Sequence, residues 1–180
     1  MQDTASRAPT RPLILGSTSV YRRELLQRLR APFTVAAPHV DETPQAGETP
    51  VALARRLALA KAQAVAAQHP EAVVIGSDQV ADLDGEPLGK PGTHERAVAQ
   101  LQKMRGKTVI FQTAVAVVCQ ASGFVQQDLA PVRVVFRNLS DAEIENYLRA
   151  ETPYDCAGSA KSEGLGLSLI HISEPTRLGM

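Results

Sequence analysis

The residues best suited to chemistry begin at Leu13-Ile14-Leu15-Gly16-Ser17-Thr18-Ser19-Val20-Tyr21-Arg22-Arg23, where an apolar run gives way to hydroxyls and two arginines open a helix. Cations are unfavourable at that end, because a helix N-terminus already carries about half a positive charge. An anion would reverse the penalty. Backbone N–H groups of the first turn, the hydroxyls of Ser17 and Ser19 and the guanidiniums of Arg22 and Arg23 together make a phosphate pocket. A lone basic pair is equally compatible with simple solvation.

A second group is acidic and basic at once. An apolar strand at 72–75 runs into Gly76-Ser77-Asp78-Gln79, so Asp78 is expected at a strand's carboxyl end, where open α/β sheets gather ligands, with a continuation over 80–83 to a turn at Asp84-Gly85 left open. Its company is Glu42 in a separate loop, Lys61 on a long helix, Lys90 between glycine and proline, and Lys161 beside Ser162. The Gly-Lys-Ser/Thr ending of a Walker loop does not follow Gly16-Ser17-Thr18-Ser19. His39, His69, His94 and His171 have neither zinc-ligand nor triad spacing. Two carboxylates, Glu42 and Asp78, suit a hard divalent ion completed by substrate phosphates.

Nineteen basic residues balance nineteen acidic ones, so no global field recruits a polynucleotide, and any phosphate site must be local. The chain has 180 residues, 44% of them hydrophobic, enough for one domain with a real core. Cys119 and Cys156 lack metal-ligand spacing, and no apolar stretch is long enough for a membrane span or signal segment. A cytoplasmic protein with reduced thiols, and with no membrane partner, is expected.

The elements that must position these groups alternate. Strands are predicted at 13–15 and 33–36, with a helix over 20–30 whose apolar stripe is Leu25, Leu26 and Leu29. Thr49 and Pro50 start an Ala-rich helix to about His69. A helix capped by Thr93 ends near Gly106, a hairpin pairs 108–119 with 124–136, and Ser140-Asp141-Ala142-Glu143 is a capping box opening a helix to Ala150. Strands alternating with helices, then a long hairpin, predict an α/β domain with a mixed sheet.

Taken together, Ser17 to Arg23, Val40-Asp41-Glu42-Thr43, Lys61, Gly76-Ser77-Asp78-Gln79, Gly89-Lys90-Pro91 and Ala157-Gly158-Ser159 resemble the Maf family of nucleoside triphosphate pyrophosphatases. The resemblance implies a single α/β domain over 12–166, with an elongated, twisted mixed sheet flanked by helices. It implies hydrolysis between the α and β phosphates with Mg²⁺ or Mn²⁺. In that scheme Asp78 is the base and a metal ligand, Glu42 helps hold the metal, and Ser17, Arg22, Arg23, Lys61, Lys90 and Lys161 bind phosphate.

Gly-Ser-Asp-Gln at 76–79 and Ser-Ala-Lys-Ser-Glu-Gly at 159–164 are similar to the branch acting on 7-methyl-GTP. Tyr21, Gln79 and Glu163 then fall at the base-specificity positions. Methylated guanine is cationic and would gain from the face of Tyr21. Glu163 would accept from guanine N1–H and its exocyclic amine, and Gln79 would donate to a carbonyl. A dTTP/UTP or broader nucleotide preference, and a nucleotide-binding regulator of septum formation, are the alternatives, and the family leaves a homodimer open. Residues 1–11 are expected to be a disordered extension. Leu167 to Arg177 departs from the family and resembles an in-frame translation of a transposase sequencing adapter, so 167–180 is expected to be a non-native tail on a domain incomplete at its C-terminus.

Overall fold

A computed structural model describes residues 11–171. Its strands are β1 (Leu13–Gly16), β2 (Thr34–Ala36), β3 (Val73–Leu83), β4 (Glu86–Leu88), β5 (Thr108–Cys119) and β6 (Phe124–Val135). Its helices are α1 (Val20–Gln27), α2 (Pro50–Gln68), α3 (His94–Met104) and α4 (Asp141–Glu151). The hydrogen-bonded order is β2-β1-β3-β5-β6, with β4 also on β3. β1 runs parallel to β2 and β3, whereas β4 is antiparallel to β3, so the sheet is mixed as the sequence predicts.

The described residues form two compact units, 11–46 with 52–78 and 114–129, and 47–51 with 79–113 and 130–171. In the first, β1 is buried at Ile14 and Leu15, and α2 contributes Leu53, Ala54, Leu57, Ala58, Ala62 and Val65 to the core. Alanine dominates that face because helix and strand backbones approach closely. A Cβ on Gly76 of β3 would stand 2.5 Å from the Ala62 nitrogen and 2.9 Å from its Cβ. Gly76→Ala should therefore cost about 1–3 kcal/mol through overpacking, read as a lowered midpoint in denaturant. It should also depress activity, because the displaced α2 carries Lys61 next to Ala62.

The second unit packs Leu83, Leu88, Leu101, Met104, Val109, Phe111, Phe136, Ile144 and Leu148 into one cluster. The predicted capping box opens α4: Ser140 Oγ accepts from Glu143 N–H, and the Glu143 carboxylate accepts from Ser140 N–H at 2.8 Å. Among the described residues no helix is long and apolar enough to cross a membrane.

Two local expectations are corrected. β3 runs through Asp78 along the continuation left open and ends at Leu83, because Val80, Ala81 and Leu83 keep finding core beyond the aspartate. Asp78 is thus a mid-strand residue. The helix expected over 20–30 stops at Gln27, followed by turns to Arg30, whose φ of 54° ends it. Its apolar stripe is largely uncovered, with Leu25 and Leu29 56% and 69% exposed. Helical spacing identifies a face without saying what covers it.

Of the expected extension, only Arg11 lies among the described residues, and its Nη1 meets the Glu71 carboxylate at 2.7 Å. Of the expected tail, 172–180 lie outside them. Leu169 is buried, Ile170 bridges Phe136, and Arg137 N–H donates to Leu169 O at 2.9 Å.

Candidate active site

The first unit brings five of the sequence-predicted residues together. Ser19 is the N-cap of α1, its Oγ accepting from Arg22 N–H at 3.4 Å, which places Arg22 in the first turn. The cap uses the Ser19 hydroxyl only as an acceptor, so its O–H is still able to donate to a phosphate oxygen. Ser17, buried at the end of β1, accepts from Ser19 N–H at 3.2 Å and from Arg22 Nη1 at 3.4 Å. The guanidinium is thereby turned back over the strand end.

Lys61 extends from α2 and is only 6% exposed; its Nζ donates to Asp78 Oδ1 at 2.6 Å and meets Glu42 Oε1 at 2.9 Å. Consecutive strand residues point to opposite faces, so Asp78 turns with Gly76 toward α2 and Gln79 turns away. The loop carrying Glu42 is tied to the same helix, since Arg56 Nη2 donates to Thr43 O at 3.0 Å and Thr43 N–H donates to Asp41 Oδ1 at 2.9 Å. Burial raises the Asp78 pKa above the usual carboxylate range, against the hydrogen bond and charge of Lys61 and the charge of Arg22, while Glu42 raises it further. Burial likewise lowers the Arg22 pKa, opposed by Asp78 and Glu42. The cluster is charged, largely desolvated and internally compensated. Tyr21 is half-buried beside Arg22, and Arg23 is exposed.

The other predicted residues belong to the second unit. Lys90 is exposed on the loop before α3, next to buried Pro91. Lys161 Nζ is paired with Glu151 Oε2 at 3.2 Å, and Glu163 is exposed two residues further on. Gln79 Nε2 donates to Thr113 Oγ1 at 2.8 Å. Gln79 also lines a cavity of about 210 Å³ with Phe111, Val134, Phe136, Ala160 and Ser162. Complete ligand pockets usually measure about 300–1,000 Å³, so this one suits a single ring system.

The Maf family model, described as Maf-like protein, matches residues 12–175. This chain belongs to the Maf family. A protein from Polaromonas sp. (strain JS666 / ATCC BAA-500), called 7-methyl-GTP pyrophosphatase, is 72% identical over 178 residues, covering 97% of this chain and 81% of its own. One of the same name from Albidiferax ferrireducens is 74% identical over 171 residues, with 93% and 86% covered. Another, from Cupriavidus metallidurans, is 58% identical, with 94% and 87% covered. Among solved structures, a HAM1 protein from Coxiella burnetii matches with a TM-score of 0.53 at 17% identity, over 72% of this chain and 75% of that one, a likeness of fold alone.

In this Maf chain, sequence reasoning missed the residues that hold the predicted ones. Thr113, Tyr147 and Glu151 each fix the neighbourhood of Gln79 or Lys161 through contacts distant in sequence. Arg56 was legible only as a helix residue. For Tyr147 and Glu151 a signal did exist, since four-residue spacing puts them on one face of α4.

Proposed function

We propose that this chain is a nucleotide pyrophosphatase that hydrolyses 7-methyl-GTP to 7-methyl-GMP and pyrophosphate, removing a modified nucleotide from the cytoplasmic pool. The observation that carries the chemistry is the buried Asp78 carboxylate held by Lys61, with Arg22 and Ser17 at the adjoining end of β1. The substrate rests on relatives of that name at 57–74% identity. Asp78 takes a proton from water as the water oxygen bonds to the α-phosphorus. The bond from that phosphorus to the α–β bridging oxygen breaks, and the pair of electrons leaves on pyrophosphate.

Arg22, Arg23, Lys61, Lys90 and Lys161 neutralise phosphate charge, and the Ser17 hydroxyl donates to a phosphate oxygen. Tyr21, Gln79 and Glu163 recognise the base. Glu42 and Asp78 converge on one ammonium at 2.9 and 2.6 Å, so their donor set also fits a divalent cation. Among the described residues no group of three or more His, Cys, Asp and Glu gathers for a metal, so phosphate oxygens and water would complete the shell. When bound, Mg²⁺ or Mn²⁺ supplies further charge neutralisation on the phosphates.

The test is pyrophosphate release from 7-methyl-GTP, GTP, dTTP and UTP side by side, with either ion. The expected result is a kcat/KM for 7-methyl-GTP about tenfold or more above the rest. Preference for a pyrimidine would keep the reaction and overturn the base assignment. A folded protein that releases no pyrophosphate from any of them would overturn the reaction.

A further inference from the structure

The segment 157–166 is pinned far beyond what a surface connection needs. Gly158 and Ser159 both have positive φ, 65° and 55°, an unusual conformation for the serine. Ser159 is fully buried, and its Oγ donates to Gln100 Oε1 at 2.7 Å. A Cβ on Gly164 would stand 2.6 Å from the Glu151 carboxylate oxygens, and one on Gly166 would collide with the Lys161 backbone.

Two α4 side chains do most of the holding. The buried Tyr147 hydroxyl donates to Ser159 O at 3.1 Å and accepts from Lys161 N–H at 2.9 Å. Burial pushes the phenol pKa up to about 12, so the donor persists at any working pH. Glu151 accepts from Leu165 N–H at 2.9 Å and pairs with Lys161 Nζ at 3.2 Å. The Lys161 backbone is held at its other end too, because its carbonyl accepts from both Gly164 and Gly166 N–H at 3.1 Å. What remains outward is the exposed tip Ser162-Glu163, while Ala160, Ser162 and Gly166 form one wall of the cavity that Gln79 lines.

We propose that Tyr147 and Glu151 are positioning residues that preorganise the 160–166 wall for a methylated guanine, so that base selectivity depends on two side chains acting through the loop. Backbone strain of this kind persists only where surrounding contacts impose it. A loop fixed before binding spares the ordering cost when the base arrives. The inference rests on the nucleotide reading above.

Tyr147→Phe removes one oxygen and leaves Lys161 N–H without its acceptor. KM for 7-methyl-GTP should rise about tenfold with a much smaller change in kcat, and the preference over GTP should narrow. Glu151→Gln keeps an acceptor for Leu165 N–H and should be milder than Glu151→Ala, which keeps none; this pair carries the test if Tyr147→Phe does not fold. A lowered melting temperature with KM and preference unchanged would overturn the inference alone and leave Tyr147 as scaffold. A wild type inactive on all four nucleotides would overturn the functional reading and this inference with it.

Discussion

Asp78→Asn should lower kcat for pyrophosphate release about a hundred- to ten-thousand-fold while leaving nucleotide binding within a few-fold of wild type. Asparagine keeps the shape and an oxygen acceptor for Lys61 Nζ, which lies 2.6 Å from the carboxylate. The geometry of the cage is therefore kept, while proton acceptance and one negative charge facing Lys61 and the cation are lost. A carboxylate of ordinary pKa is a weak base, and burial lifts this one above the usual range, which strengthens it. Because the ionised form is the active one, wild-type kcat/KM should fall as pH drops through that raised value, an acid limb absent from Asp78→Asn. Single-turnover kinetics with a separate binding titration measure both quantities. Near-full turnover in the variant would remove Asp78 from the base role.

How much of this was legible beforehand follows from how local each signal is. The helix opening at Arg22 is legible because a first turn involves neighbours in sequence, whereas the N-cap role of Ser19 emerges only in the structure. The capping box at Ser140 was readable because it too involves neighbours in sequence. Asp78 stands out by its company in sequence, but it lies mid-strand rather than at a strand end, because the strand continues over 80–83. Gly76 is there for close packing, as the backbone of Ala62 shows. The alanines of α2 are the sequence trace of that approach, visible once the partner strand is known. Leu25 and Leu29 form an apolar stripe in sequence and are exposed in the structure, since periodicity carries no information about a partner. Lys61, Glu42 and Asp78 were each named, but their convergence depends on tertiary placement that no spacing encodes. The family resemblance supplied it in advance, because several motifs in order constrain a fold more than any one does.

Lys61→Met should have the second large effect, and its signature is in pH as well as rate. The ammonium is shared by two carboxylates at 2.6 and 2.9 Å, and the Asp78 side chain is about as buried as the lysine itself. Removing one member of a buried pair costs about 3–5 kcal/mol, because the remaining charge stays desolvated. Glu42, half exposed, can turn to water; Asp78 cannot. Its pKa, already raised by burial and held back chiefly by Lys61, must therefore climb further.

The acid limb of kcat/KM should move to higher pH and neutral-pH activity should drop, partly recovered in more alkaline buffer. Stability should follow the opposite course. A raised carboxyl pKa means the folded state holds more protons than the unfolded one. Stability therefore declines as pH rises from the ordinary carboxylate range through the raised value, and is regained on acidification. Denaturant unfolding across pH reads that slope, and combining Lys61→Met with Asp78→Asn should abolish it. A limb that stays in place, or a slope that survives in the double variant, would mean that the titrating group is some other residue.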